Sequence, residues 1–359
     1  MNILILTASF GMGHNSSAVA IKQELSKKYS DSKCFIVDIN KYMFPVLHEV
    51  IYKGFNVAVH KCHNIYNSLY KISQKQTRMP LKGIFMKKVH DLLDEYNPNI
   101  VISTLPMSSK LISEYKMYSN CDLPLITCIT DVSVHSSWIN PKTNIYFVSS
   151  QTSKEKLLKK GILEEKIFIT GIPVKEDFIK FNDRPIDPNI KKILVMGGGL
   201  GIIPFDNNLY KELNGMKNVE VTIITGKNKK VFNKLNGKYS NINVIDYCEN
   251  VHEYMQASDI IISKPGGITL FEAIHSKLPM FVICPFLEQE IENAYFIEKH
   301  DIGKVIWNKD SNLSSEINDL LNNEGYLYEV RDKMKNIQTE LNKIQISSIL
   351  DKFNIPRAL

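Results

Sequence analysis

One pattern constrains this chain more than any other, and it plays twice. Six short apolar runs, "NILILTA" (2–8), "CFIVDI" (34–39), "NIVIST" (99–104), "PLITCIT" (124–130), "IYFVSS" (145–150) and "KIFITGIP" (166–173), have amphipathic stretches between most of them. Six more follow: "KILVMGGG" (192–199), "VEVTIITG" (219–226), "INVIDY" (242–247), "DIIISKPGG" (259–267), "PMFVICP" (279–285) and "GKVIW" (303–307). Runs that are apolar throughout belong to strands buried on both faces. Strands alternating with helices build a mostly parallel sheet covered on both sides. The expectation is an α/β protein of two doubly wound domains facing a central cleft, where ligands bind at the strand ends.

The polar, Pro-bearing "FNDRPIDPNIK" separates the two series and reads as a linker. The expected domains are 1–175, a linker over 176–190, a second domain over 191–335 and a helical tail over 336–359, which returns toward the first domain. A length of 359 residues suits two domains, and 44% hydrophobic with 23% charged residues is ordinary for a soluble protein. No apolar run reaches the roughly 20 residues that span a bilayer. The opening "MNILIL" lacks a basic leader and reads as a first strand. The six cysteines are scattered without a C-x-x-C, as expected of reduced thiols in the cytoplasm. His60, Cys62 and His63 lie close together, but no second cluster of metal-ligand spacing accompanies them, so no metal site is expected.

Charge is uneven. Of the 44 Lys and Arg, eight fall within residues 50–90 (Lys53, Lys61, Lys71, Lys75, Arg78, Lys82, Lys87 and Lys88), and none of the 38 acidic residues does. Tyr52, Phe55, Tyr66, Tyr70 and Phe85 are interleaved with them. That composition suits an anionic lipid surface; a solvated helix face is the plainer alternative. No nucleic-acid motif accompanies the charge.

Five loops carry the chemistry. In "TASFGMGHNSSAVAI" (7–21), a glycine turn holding Gly13 and His14 joins a strand to a helix. A dinucleotide loop would want a third small residue, which Ser16 or Ser17 supplies, and an acid about 20 residues on, where Asp38 ends the second strand. The histidine in a tight position argues for other chemistry. "VMGGGLGII" places Gly197, Gly198, Gly199 and Gly201 after a strand, where bare backbone N–H groups can approach a phosphate. In "ISKPGGITLFEAI" (262–274) a strand ends at Lys264, and Pro265, Gly266 and Gly267 turn into a helix starting near Ile268 or Thr269, whose N-terminus would face a diphosphate. Glu272, expected near the first turn, suits a ribose diol or, more simply, complements the dipole. "CPFLEQEIENAYF" (284–296) groups Gln289, Glu290 and Asn293 near a strand end, as sugar hydroxyls require, though a polar helix start would look alike. "CITDVSVHSSW" (128–138) sets Asp131, His135 and Trp138 after another strand.

Taken in order, these segments resemble the family 28 glycosyltransferases, and within them the diacylglycerol glycosyltransferases (bacterial processive glucosyltransferases and plant monogalactosyldiacylglycerol synthases). "GMGHNSSAVAI" is similar to the family's G-x-G-H loop, "YKGFNVAVHKCHNIYNSLYKIS" to its membrane-facing segment, and "TDVSVHSSW" to its T-D-x-x-x-H-x-x-W. "TGIPV", "GGGLG", "TGKNKK", "SKPGGITLFEA" and the Q-E-x-x-N of "EQEIEN" follow in family order. Glu288 departs from the glycine the family often has before the Q-E pair.

The resemblance implies a GT-B fold of two Rossmann-like domains and an inverting transfer of glucose or galactose from a UDP-sugar to the free hydroxyl of diacylglycerol. It implies a diphosphate on Gly198, Gly199, Gly201, Pro265, Gly266, Gly267, Ile268 and Thr269, ribose on Glu272, uracil near Tyr247 and Val251, and hexose on Gln289, Glu290 and Asn293. His14 is the expected base, with Asp131 as rival or orienting group. Gly13, His135 and Trp138 would face the acceptor, and Lys71, Lys75, Arg78, Lys82, Lys87 and Lys88 the anionic lipids. The enzyme would be cytoplasmic and peripheral on the inner face of the cell membrane. No D-x-D motif is visible, and fixed backbone donors can stabilise leaving UDP, so no cofactor beyond the donor is expected. Alternatives are transfer to a polyprenyl-linked cell-wall intermediate or a soluble natural product, a UDP-sugar epimerase, and a UDP-sugar sensor without turnover.

Overall fold

The computed structural model describes residues 1–10, 12–61, 82–180, 189–203, 207–308 and 311–353. The chain forms two compact units, Met1–Glu176 with Leu341–Leu359, and Asp177–Glu340. Most of the linker stretch, residues 181–188, lies outside the described residues.

Each unit is built on one six-stranded parallel sheet. The first holds β1 (Asn2–Thr7), β2 (Lys33–Asp38), β3 (Ile100–Ser103), β4 (Leu125–Cys128), β5 (Ile145–Val148) and β6 (Ile167–Ile169) in the order β2-β1-β3-β4-β5-β6. The second holds β7 (Lys191–Met196), β8 (Val219–Ile224), β9 (Ile242–Ile245), β10 (Ile260–Ser263), β11 (Met280–Ile283) and β12 (Gly303–Ile306) in the order β12-β11-β10-β7-β8-β9. Every apolar run became a strand. The central strands are buried along their length, as in "IVIS", "LITC" and "IIIS", because helices cover both faces and leave no solvated side to demand polar residues.

The two orders fix where ligands can sit. In the first sheet the winding reverses between β1 and β3, in the second between β7 and β10. Loops leaving those strands diverge to opposite faces and open a crevice at the carboxyl ends. All five candidate loops follow strands at or beside these points.

The first unit's core has two main faces. On one, Ile3, Ile5, Ala18, Ile21 and Leu25 pack with Ile346, Ile349 and Leu350 from the end of the chain. Polar contacts secure that return: Ser347 N–H donates to Glu24 (2.9 Å), Tyr29 Oη to the Ser347 carbonyl (2.7 Å), and Lys28 pairs with Asp351 (2.6 Å). The other face gathers Leu4, Leu6, Ile39, Met86, Val89, Leu92 and Ile112. In the second unit Ile193, Val195, Leu213, Ile223, Ile260, Ile262 and Phe281 form the centre. Asp259 is fully buried, accepting the Lys192 N–H at 2.8 Å and meeting Arg331 at 3.4 Å.

Asp38 has a structural post. One carboxylate oxygen caps the helix Ile39–Met43 by accepting from the N–H groups of Asn40 and Lys41, and Tyr52 Oη and Ser9 also donate to this side chain. The carboxylate that a dinucleotide would need is therefore occupied.

Candidate active site

In the first unit, β1 leads into the helix Gly13–Lys28. His14 is its second residue, so it sits on the first helical turn and not inside the glycine turn. The ladder already closes there, with Ser16 N–H donating to the Met12 carbonyl at 2.9 Å. His14 Nδ1 lies 2.8 Å from Thr130 Oγ1, and Thr104 Oγ1 donates to the His14 carbonyl at 3.2 Å. Segments following β1, β3 and β4 are thus tied together at His14, Thr130 through the ring and Thr104 through the main chain.

Asp131 is next in line. Its Oδ2 accepts from Trp138 Nε1 at 3.3 Å and stands 3.7 Å from His135 Nε2. The second separation is longer than a good hydrogen bond. His135 Nδ1 in turn meets the Ser137 hydroxyl closely. Trp138, expected to face the acceptor, is fully buried in the short 3₁₀ turn Ser136–Trp138, with its indole N–H turned to Asp131.

Burial holds the His14 imidazole below its ordinary value of 6.5; the Asp131 charge and the Thr104 backbone pull it back up, and His135 pushes it down again. The residue as a whole is half-buried, and the packing around its ring lets desolvation prevail. Burial pushes Asp131 up, and the opposing effects of His135, His14 and the Trp138 N–H outweigh it, leaving the carboxyl below its usual range. At neutral pH this is a neutral imidazole near a carboxylate, the state a general base requires.

In the second unit β7 opens into the glycine loop. Gly198 and Gly201 adopt φ of +66° and +63°, Gly201 N–H returns to the Gly198 carbonyl at 2.9 Å, and Ile202 N–H to Gly197 at 3.0 Å. Its support is the turn after β8. Lys227 N–H donates to the Gly199 carbonyl and Asn228 Nδ2 to the Gly201 carbonyl, both at 3.0 Å. A Cβ on Gly226 would stand 2.7 Å from the Gly199 oxygen. Sequence reasoning noted "TGKNKK" and gave it no task; Gly226 and Asn228 shape the loop from below.

After β10, the turn Lys264–Gly266 enters the helix Gly267–His275, one or two residues earlier than expected. Gly266 is its N-cap and offers no side-chain cap. Ile268 and Thr269 lie in the first turn. Glu272 is nearly buried in the second turn, a correction to its expected place in the first, which holds no acid.

β11 is followed by Cys284 at φ +43° and then by the helix Glu288–His300. Gln289, Glu290 and Asn293 therefore stand on a helix and not at a strand end. Glu288 and Glu290 complement the dipole of its first turn. Glu290 and Asn293 are 2% and 1% exposed. Glu290 Oε1 meets Lys264 Nζ at 3.2 Å, and Asn293 Nδ2 donates to the Pro265 carbonyl at 2.7 Å. Glu290 Oε2 and Asn293 Oδ1 are buried without a partner. Buried acceptors left open call for a ligand bearing donors. Tyr247 is 40% exposed, with Lys227 Nζ 5.7 Å from its ring centre, and Val251 opens the helix Val251–Gln256.

The basic segment is only partly described. Lys71, Lys75 and Arg78 lie outside the described residues. Lys82 pairs with Glu114 at 2.7 Å, and Lys88 Nζ donates to the Met43 carbonyl at 2.5 Å, so both also serve the fold; Lys87 is exposed. Cys62, His63 and the side chain of His60 are likewise outside. Among the described residues no His, Cys, Asp and Glu group of three or more could hold a metal, and no helix is long and apolar enough to cross a membrane.

Two doubly wound sheets, each with a glycine loop at its reversal point, define the GT-B class, and two solved structures share the fold: Acinetobacter baumannii MurG (TM-score 0.63, 13% identity, 96% of this chain and 99% of that one) and the glycotransferase of kitacinnamycin (TM-score 0.64, 10% identity, 99% of each). Residues 14–174 match the monogalactosyldiacylglycerol (MGDG) synthase family, and residues 192–345 match the glycosyltransferase family 28 C-terminal domain. The chain thus joins an MGDG synthase-type first half to a glycosyltransferase family 28 C-terminal domain. Similar relatives include the processive diacylglycerol beta-glucosyltransferases of Bacillus cereus strain G9842 (29% identical, 93% of this chain and 89% of that protein) and Bacillus subtilis strain 168 (27%, 93% and 91%).

Proposed function

We propose that this enzyme transfers a hexose, glucose by the names of its relatives, from UDP to the free hydroxyl of diacylglycerol with inversion at the anomeric carbon. The observation that carries the donor half is the pair of buried, unpartnered acceptor oxygens on Glu290 and Asn293 beside the helix that starts at Gly267. Hydroxyl groups of a hexose supply the donors those oxygens lack. The Gly198–Gly201 backbone and the first turn of that helix offer N–H groups to the diphosphate, Glu272 suits the ribose diol, and Tyr247 with Val251 the base.

His14 removes the proton of the acceptor hydroxyl. The freed oxygen bonds to the anomeric carbon, the bond from that carbon to the β-phosphate oxygen breaks, and its electron pair leaves with UDP. Asp131 stabilises the imidazolium formed. A lipid acceptor requires docking on a bilayer. The exposed Val46, Leu47, Val50 and Ile84, with exposed Lys87, supply apolar and cationic groups for it.

The test is product analysis after incubation with UDP-glucose and diacylglycerol. A glucosyl-diacylglycerol whose anomeric proton reports β linkage is expected. Lipid-independent hydrolysis alone, or an α product, would refute the proposal.

A further inference from the structure

Lys264 Nζ lies 3.2 Å from the buried Glu290 Oε1, and a Cβ placed on Gly198 would be 3.7 Å from Lys264 Cε. The side chain therefore runs from the end of β10 alongside the glycine loop to the carboxylate on the next helix, one residue from Pro265 and three from the helix start at Gly267. Its own side chain keeps 24% exposure, against 3% for Glu290.

We infer that Lys264 is a movable charge in the donor site: it neutralises Glu290 while the site is empty and turns to the β-phosphate of the nucleoside diphosphate when donor binds. This rests on the donor assignment above. A carboxylate this buried needs a cation or several donors. In the empty site Lys264 supplies the cation and Glu290 Oε2 is left over. A bound hexose brings hydroxyl donors to Glu290, which then no longer needs the ammonium. The same ligand brings a diphosphate to the glycine loop that Lys264 flanks. When the anomeric bond breaks, the β-phosphate gains one negative charge, and the ammonium stabilises it while staying protonated throughout. Hexose recognition and leaving-group stabilisation are thereby joined through one side chain, so UDP with its sugar attached is recognised differently from UDP.

The test compares binding of UDP and UMP by calorimetry to wild type, Lys264→Met, Glu290→Gln and the double variant Lys264→Met/Glu290→Gln. A charge-assisted contact to the β-phosphate is worth about 10- to 100-fold. UDP brings no hexose to Glu290, so in wild type the ammonium stays on that carboxylate and Lys264→Met is expected to show no gain in UDP binding. Glu290→Gln, which releases the ammonium, is expected to bind UDP more tightly than wild type by that factor, with UMP almost unchanged. The double variant leaves no buried charge unpaired, so it keeps the experiment valid if Lys264→Met alone folds poorly; it should lose the factor that Glu290→Gln gains. A UDP-to-UMP ratio in the double variant equal to that of Glu290→Gln would overturn the role of Lys264. Wild-type protein that binds neither nucleotide would instead overturn the donor assignment and this inference with it.

Discussion

His14 Nδ1 and the Thr130 hydroxyl, 116 positions apart in sequence, meet at 2.8 Å. When Nδ1–H donates to Thr130, Nε2 carries the lone pair that a base uses. Removing the ring by His14→Ala should lower kcat about 100- to 10,000-fold, and Thr130→Val should lower it less, with donor KM little changed. The pH profile distinguishes base from helper. Activity falls as pH falls through the His14 value, so the acid limb of kcat/KM should lie below pH 6.5. Asp131 raises that value, so Asp131→Asn should shift the limb further to acid while retaining residual activity. Loss of the limb altogether in Asp131→Asn would make Asp131 the base.

His275 gives the second unit an acid sensitivity. It is 9% exposed at the end of the helix Gly267–His275, and burial depresses its value from 6.5 to about 4. Below pH 6.5 the unfolded chain binds a proton that the folded chain refuses, so stability drains away as pH falls from 6.5 to about 4, by about 3 kcal/mol as an order of magnitude. Thermal melts of His275→Leu across that range should show a shallower acid decline than wild type. Parallel declines would refute the assignment.

Gly201 and Gly161 share a left-handed backbone, with φ of +63° and +83°. At Gly161 a Cβ meets nothing within 4 Å; at Gly201 it would collide with the Thr225 carbonyl and approach Asn228 Cβ to 2.7 Å. Gly161→Ala should therefore cost only the conformational strain, about 1–2 kcal/mol. Gly201→Ala should cost more, as read by thermal melting, and should weaken UDP binding as well. Equal effects of the two substitutions would show that the loop is less tightly held than its contacts with Thr225 and Asn228 imply.

Membrane attachment should depend on which lysine is reversed. Each cation near an anionic surface is worth about 1 kcal/mol. Lys87→Glu is expected to weaken cosedimentation with anionic vesicles about five- to thirtyfold. Lys82→Glu should do less, since Glu114 already offsets that ammonium. Unchanged sedimentation of Lys87→Glu would remove Lys87 from the docking surface.

The strands were legible because parallel strands covered on both faces must be apolar at every position, and "IIIS" at 260–263 or "IVIS" at 100–103 has no other economical fate. The glycine loops were legible because positive φ at Gly198 and Gly201 restricts the residue type. Helix starts were less so: Gly267 begins its helix early because a glycine N-cap leaves no side-chain signal, and that displaced Glu272 into the second turn. Partnerships across loops were not legible at all. Nothing local in "SKPGG" says that Lys264 reaches Glu290, 26 positions on, or that Asn228 holds the Gly201 carbonyl. Those contacts exist only once the sheet order has brought the ends of β10, β11, β7 and β8 together.

The most direct measurement is UDP release by the purified protein with UDP-glucose, with and without diacylglycerol in mixed micelles containing anionic lipid, and UDP-galactose in parallel. Release that depends on diacylglycerol and prefers UDP-glucose is the expected result. Release indifferent to diacylglycerol, or none with either donor, would contradict the assignment of this chain as a diacylglycerol hexosyltransferase.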